Sequence, residues 1–253
     1  MSRSPLSGGR KAAIVPRVDY AAALIEQNRL LGELTRDADP ATPIPTCPDW
    51  TLQQLVRHVG RGHRWAATMV RERATQAADP RTVAGGKPLG DVVEWLHECA
   101  ADVIDAVTAT GADVPIWTFT GPKPASWWIR RRLHEETVHR ADAALALGVP
   151  VDLTPELAAD GLSEWLDLVT ARPSVLDAGA TLHLHATDAG AGGEWMIRGA
   201  ADHVTWEHGH GKGDAAVRGT AVELLLAAVR RTHDVQVLGD EKTWTQWLER
   251  TGY

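Results

Sequence analysis

Over the first 150 residues, apolar positions recur at spacings of three and four in four separate stretches, which predicts four amphipathic helices. The first is expected from about Val18 to Asp37, with Tyr20, Leu24, Gln27, Leu31 and Leu34 on one face. The proline-rich run from Pro40 to Pro48 cannot be helical and must connect. Thr51 and Gln54 form a capping box that starts the second helix. Along it Leu55, His58, Gly62, Trp65 and Met69 share a stripe, so His58 is expected on the buried side. A third helix is predicted from Asp91 to Thr108 after a loop containing Gly85 and Gly86. A fourth runs from Ser126 to Leu147 and stops at Gly148. Residues 1–16 read as a flexible lead-in.

Past Pro150 the period changes. A helix is expected from Pro155 to Val169. Alternating segments follow at Thr181–Asp188, Glu194–Arg198 and Asp202–Glu207, the period of strands in an antiparallel meander. A second capping box, Thr220 with Glu223, opens a helix reaching Arg231. A strand at Asp234–Gly239 and a helix at Thr243–Arg250 finish the chain. The prediction is an α+β protein of two domains: residues 1–150 a four-helix bundle, residues 151–253 a small α/β domain with an antiparallel sheet.

Charge and composition narrow the partners. The 253 residues carry 26 basic against 33 acidic side chains, a net charge of −7, which argues against nucleic acid or an anionic membrane surface. The basic knot Arg130-Arg131-Arg132 reads as a face of an amphipathic helix. No run of about 18 apolar residues offers a membrane span, and no secretory leader is recognised. Two cysteines, Cys47 and Cys99, rule out a disulfide framework and fit the cytoplasm. Eleven tryptophans stand against two tyrosines and one phenylalanine, enough to fill a core or to line a ligand cavity.

The fourth helix carries the chemistry. Glu135 and His139 lie four residues apart and so share a face, which continues through Trp128 and Arg132 on one side and Asp142 on the other. With His58 as a third ligand, two imidazoles and a carboxylate give a metal site with an open position. The same spacing suits a buried Glu–His hydrogen bond, and the residues alone leave both open. His134 is followed by Glu135, but Val138 stands where the zinc-peptidase motif needs its second histidine. Glu136 and Arg140 read as a solvated i,i+4 pair. His183 and His185 share one strand face but lack an evident third ligand, and His208-Gly-His210 lies in a glycine-rich turn.

The stretches Cys47-Pro-Asp-Trp-Thr through His58, and Trp117-Thr-Phe-Thr-Gly-Pro through Asp142, resemble the mycothiol-dependent maleylpyruvate isomerase family. Trp50-Thr51 and His58 match one of its motifs; Glu135, His139, Arg140 and Asp142 match another. The resemblance implies a DinB/YfiT-like metal-binding bundle followed by a sterol-carrier-like domain, and continues through Leu182–Asp188 and Val217–Leu226. It implies that His58, Glu135 and His139 hold a divalent metal, usually zinc, and that mycothiol is the thiol cosubstrate. Family members usually carry a Gly-Arg pair after the leucine-rich helix; here it is Arg230-Arg231. Arg231, with Arg132, is therefore expected to steady anionic groups of a small electrophilic substrate. The reaction implied is thiol addition to a cis double bond, rotation and loss of the thiol, or S-transfer if the conjugate is kept. Two readings remain beside it: a small-molecule-binding or regulatory protein with a structural or vestigial metal, and a metal-dependent hydrolase on the same bundle.

Overall fold

The computed structural model describes residues 18–252 except 84, 85, 89 and 233. The lead-in at 1–16 and Gly85 lie outside the described residues. Four helices form the first half: α1 (Tyr20–Thr35), α2 (Leu52–Arg71), α3 (Val92–Thr110) and α4 (Trp127–Leu147). Asp19 and Asp91 cap α1 and α3 by accepting hydrogen bonds from first-turn backbone N–H groups. The Thr51/Gln54 capping box starts α2. Gly148 ends α4 with φ at +68°, a conformation that costs glycine little. Between α3 and α4 a short antiparallel pair, β1 (Pro115–Ile116) and β2 (Lys123–Pro124), closes the connection.

The bundle core falls into two apolar clusters. One gathers Leu31, Leu55, Val59, Trp95 and Leu96; the other gathers Leu24, Met69, Val103, Trp128 and Leu133. Close helix approach depends on small residues: a Cβ on Gly60 would lie 2.1 Å from the Trp95 ring.

The second half comprises α5 (Pro155–Thr170), β3 (Thr181–Ala186), β4 (Glu194–Gly199), β5 (Val204–His208), β6 (Ala215–Gly219), α6 (Ala221–Ala228), β7 (Gln236–Gly239) and α7 (Glu241–Thr251). The sheet order is β5-β4-β3-β6-β7. It corrects the expected antiparallel meander: β3 and β6 run parallel, and the other pairs antiparallel. The strand β6 was hidden because Ala215-Ala-Val-Arg-Gly219 alternates only weakly. Leu182, Leu184, Trp195, Ile197, Ala215 and Val217 point to one face and pack with Leu162, Leu225 and Trp247 of the helices. Helix α6 stops at Ala228, short of the expected Arg231, because Arg230 turns left-handed with φ at +62°. That backbone accounts for glycine being usual at this place.

The Arg130–Arg132 knot is not a solvated face. Arg130 pairs with Asp160 at 3.0 Å, and the buried Arg131 with Glu164 at 2.8 Å, tying α4 to α5. His134 joins Asp160 at 2.6 Å. Burial pushes the Asp160 carboxyl up, but His134 and Arg130 outweigh it and hold it down at about 2. A carboxyl depressed from 3.8 contributes stability that is complete above its unfolded value and lost as pH falls through the folded one. Asp160→Asn is therefore expected to lower stability at pH 7 by about 2 kcal/mol. Urea melts should show the deficit shrinking between about pH 4 and pH 2; a pH-independent deficit counts against the ion-pair account.

Candidate metal centre

Helices α2 and α4 cross so that His58 faces Glu135 and His139. The ligand-capable atoms of these three side chains lie within 4.8 Å of one another. His58 Nε2 is 3.1 Å from Glu135 Oε1, and the His58 and His139 rings meet edge to face with centroids 4.9 Å apart. Trp50, just before α2, walls the site at 4.8 Å from the His58 ring and 6.0 Å from that of His139. The His58 side chain is 40% exposed, a correction to its expected burial, while Glu135 and His139 are more deeply buried.

Each deeper group is oriented from behind. His139 Nδ1 lies 3.0 Å from Asp142 Oδ2, which leaves Nε2 as the ring's other ligand atom. Asp142, fully buried, also accepts from Thr46 Oγ1 at 2.6 Å and from Arg231 Nε and Nη2 at 2.9 and 3.1 Å. Arg231 thus comes from the second half of the chain to brace the first. Its Nη1 donates to Val229 O at 2.8 Å, so most of its fork is engaged within the protein. Arg132 faces Glu135 Oε2 at 2.7 Å and donates to Val59 O and His63 Nδ1. At 3% exposure Arg132 is buried against the Glu135 carboxylate.

Behind Arg132 lies a buried polar network that includes Glu136, expected to be half of a solvated pair. Because Arg132 Nε donates to His63 Nδ1, the His63 proton sits on Nε2, facing Asn28 Oδ1 and Glu136 Oε2 at 3.1 Å each. Asn28 Nδ2 donates to Glu136 as well. Glu136 and Arg140 are therefore buried and apart in role: Arg140 donates to Gln27 Oε1 at 2.8 Å and to Asp152 O. Burial pushes Glu136 well above the usual carboxylate range and His63 well below the usual imidazole range, so both favour their neutral forms. The i,i+4 rule gave no sign of this, since it is blind to what the opposing helix presents.

The candidate ligands behave differently. Burial raises Glu135, but Arg132 and then the His58 contact and Arg131 overcome it and hold the carboxyl well below its ordinary value. Burial lowers His139 more than Asp142 raises it. A carboxylate and a neutral imidazole are the forms a metal requires. Cys47, His139 and Asp142 also gather within ligand distance, but Asp142 is already saturated by Thr46, Arg231 and His139.

Residues 20–144 match the family model of the mycothiol maleylpyruvate isomerase N-terminal domain, and residues 156–246 that of the MDMPI C-terminal domain. The chain belongs to the mycothiol maleylpyruvate isomerase family. Uncharacterised proteins from two strains of Mycobacterium tuberculosis are each 31% identical over 127 residues, 48% of this chain and 62% of theirs. The chain therefore matches less than two thirds of the length of those relatives. Crystal structures of mycothiol-dependent maleylpyruvate isomerase and of a histidine-to-alanine mutant share the fold at TM-score 0.59, with 17% and 18% identity. Each match covers 86% of this chain and 90% of the other. Among the described residues of this family member, no helix is long and apolar enough to cross a membrane.

Gly62 shows how tightly the positioning shell is built. A Cβ there would lie 2.5 Å from Arg132 Nη2 and 2.7 Å from its Cζ. The guanidinium cannot retreat without leaving Val59, His63 or Glu135. Gly62→Ala is expected to cost about 2 kcal/mol through overpacking and to weaken metal affinity roughly 10–100-fold, the range for outer-shell changes. Urea melts and zinc titration against a competing chelator check the two halves separately.

Proposed function

We propose that the chain is a metal-dependent enzyme that uses a low-molecular-weight thiol, mycothiol, in isomerisation or S-transfer on a small electrophile bearing a carboxylate. One observation carries this: His58, Glu135 and His139 converge from two helices with His58 partly exposed, and Glu135 and His139 favour their metal-binding forms. Two nitrogens and one carboxylate oxygen fit a divalent ion of the zinc class. Such an ion, when bound, lowers the pKa of a coordinating thiol and makes the thiolate available near neutral pH.

The chain's own cysteines support an external thiol. Burial and then Asp142 push the Cys47 thiol up, and burial pushes Cys99 up to about 11, so neither is primed as a nucleophile. In this reading residues 1–150 supply the ligands and Trp50 shields one flank. Residues 151–253 supply Arg231, which fixes the His139 ring through Asp142. Arg132 keeps Glu135 ionised. The His58 side faces the incoming thiol and electrophile.

Maleylpyruvate, named for the structural relatives, is the first electrophile to test. Zinc-loaded protein is expected to isomerise it only when thiol is present, with mycothiol preferred over glutathione. Unchanged thiol concentration marks an isomerase, and stoichiometric thiol loss marks an S-transferase. Turnover without any thiol points to a hydrolase. Binding without turnover, and a melting temperature indifferent to chelator, return the protein to the binding or regulatory class.

A further inference from the structure

The second half of the chain holds another cluster with metal-ligating chemistry, far from α2 and α4 in the sequence and on the sheet face away from the helices. The residues of β3, β4 and β6 that point away from the helices include His183, His185, Glu194, Met196 and Arg218, as the strand registers require. The connection from β5 to β6, Gly209-His-Gly-Lys-Gly-Asp214, must cross this face. It spans three inter-strand spacings, about 14 Å at ~4.8 Å each. The connection is too short for the helical crossover that usually joins parallel strands. Gly211 and Gly213 let it lie flat. A Cβ on Gly211 would meet Met196 Sδ at 2.9 Å, and one on Gly213 would meet the His183 backbone nitrogen at 2.9 Å.

This strap covers His183, leaving it 5% exposed, and sets His210 above it. His183 Nε2 lies 2.9 Å, and His210 Nδ1 2.7 Å, from the same oxygen, Glu194 Oε2. The two rings stand nearly perpendicular with centroids 5.4 Å apart, and His185 stacks beside His183 at 6.0 Å. The third ligand absent from the sequence reading of His183 and His185 is thus present twice, as Glu194 and His210.

We propose that His183, Glu194 and His210 form a second divalent metal site of the zinc class, which pins the glycine-rich strap to the open face of the sheet and is independent of the centre at His58, Glu135 and His139. Three elements of the chain each contribute one ligand, and the three ligand atoms fall within 4.8 Å of one another. Both imidazoles direct a ring nitrogen to one point, where an ion replaces their protons. Two nitrogens and one carboxylate oxygen select zinc-like ions over calcium or magnesium, which prefer oxygen-only shells.

The test is zinc stoichiometry on the full-length, tag-free chain, by titration against a chromophoric chelator, for wild type, His210→Ala, Glu194→Gln and His139→Ala. His210 is largely exposed, so its removal leaves the fold intact. The expected counts are two zinc ions per wild-type chain, and one in each variant at either site. His210→Ala combined with His139→Ala should bind none. If His210→Ala and Glu194→Gln both bind as much zinc as wild type, the proposal is overturned. If His139→Ala leaves the count unchanged while His210→Ala lowers it, the second site stands and the reading of the first centre falls.

Discussion

His139→Ala is expected to empty the bundle centre of metal and to abolish thiol-dependent turnover. In the proposed centre the side chain is one of three ligands, so its loss should exceed the roughly 10–100-fold fall in affinity typical of outer-shell changes. Asp142→Asn provides that comparison, since it touches only the far side of the His139 ring. The His210→Ala background isolates the centre, because any ion held on the sheet is then absent from the count. Elemental analysis should find about one zinc per chain in that background and none once His139→Ala is added, a loss expected of a three-ligand site. Folding should survive: Asp142 keeps Thr46 and Arg231 as partners, and the removed ring is 12% exposed. A variant that retains full metal content, or one that loses turnover with its metal in place, removes His139 from the ligand set.

The helices of the bundle and their starts were legible because each depends on local rules. The Thr51/Gln54 box and Gly148 act within one turn, and the apolar stripes repeat often enough to read. The pairing of Glu135 with His139 was legible for the same reason. What lay beyond local rules was the identity of the opposing surface. Glu136 and Arg140 looked like an exposed pair because their spacing allowed it; the burial was decided by Asn28 and His63, brought from 108 and 73 residues away. The parallel β3–β6 pair escaped for a related reason. A six-residue glycine-rich link looks like a hairpin turn, and only the sheet order shows that it crosses two strands, β4 and β3. That misreading also concealed the cluster of His183, Glu194 and His210, since a turn would leave His210 remote from His183.

Arg231→Ala is expected to cost about 3 kcal/mol of stability in metal-free protein, the range for stripping one partner from a buried ion pair. Asp142 is fully buried, and the Nε and Nη2 of Arg231 meet both of its oxygens. Without them a carboxylate sits in the interior with His139, Thr46 and the weak Cys47 thiol contact as its remaining partners, and this tie between α4 and the segment after α6 is cut. Burial raises Asp142, but His139 and Arg231 together hold it well below the usual carboxylate range. The deficit should therefore be full above the unfolded carboxyl value near 3.8 and shrink as pH falls beneath it. Arg231→Lys should recover less than half, because an ammonium cannot reproduce the two-pronged contact. In a double-mutant cycle with Asp142→Asn, the paired variant should be less damaged than the sum of the singles by about 1–3 kcal/mol. A guanidinium that served only to grip substrate would leave urea melts unchanged and raise KM alone; melts of Arg231→Ala that overlay wild type assign it to the substrate and dissolve the bracing role.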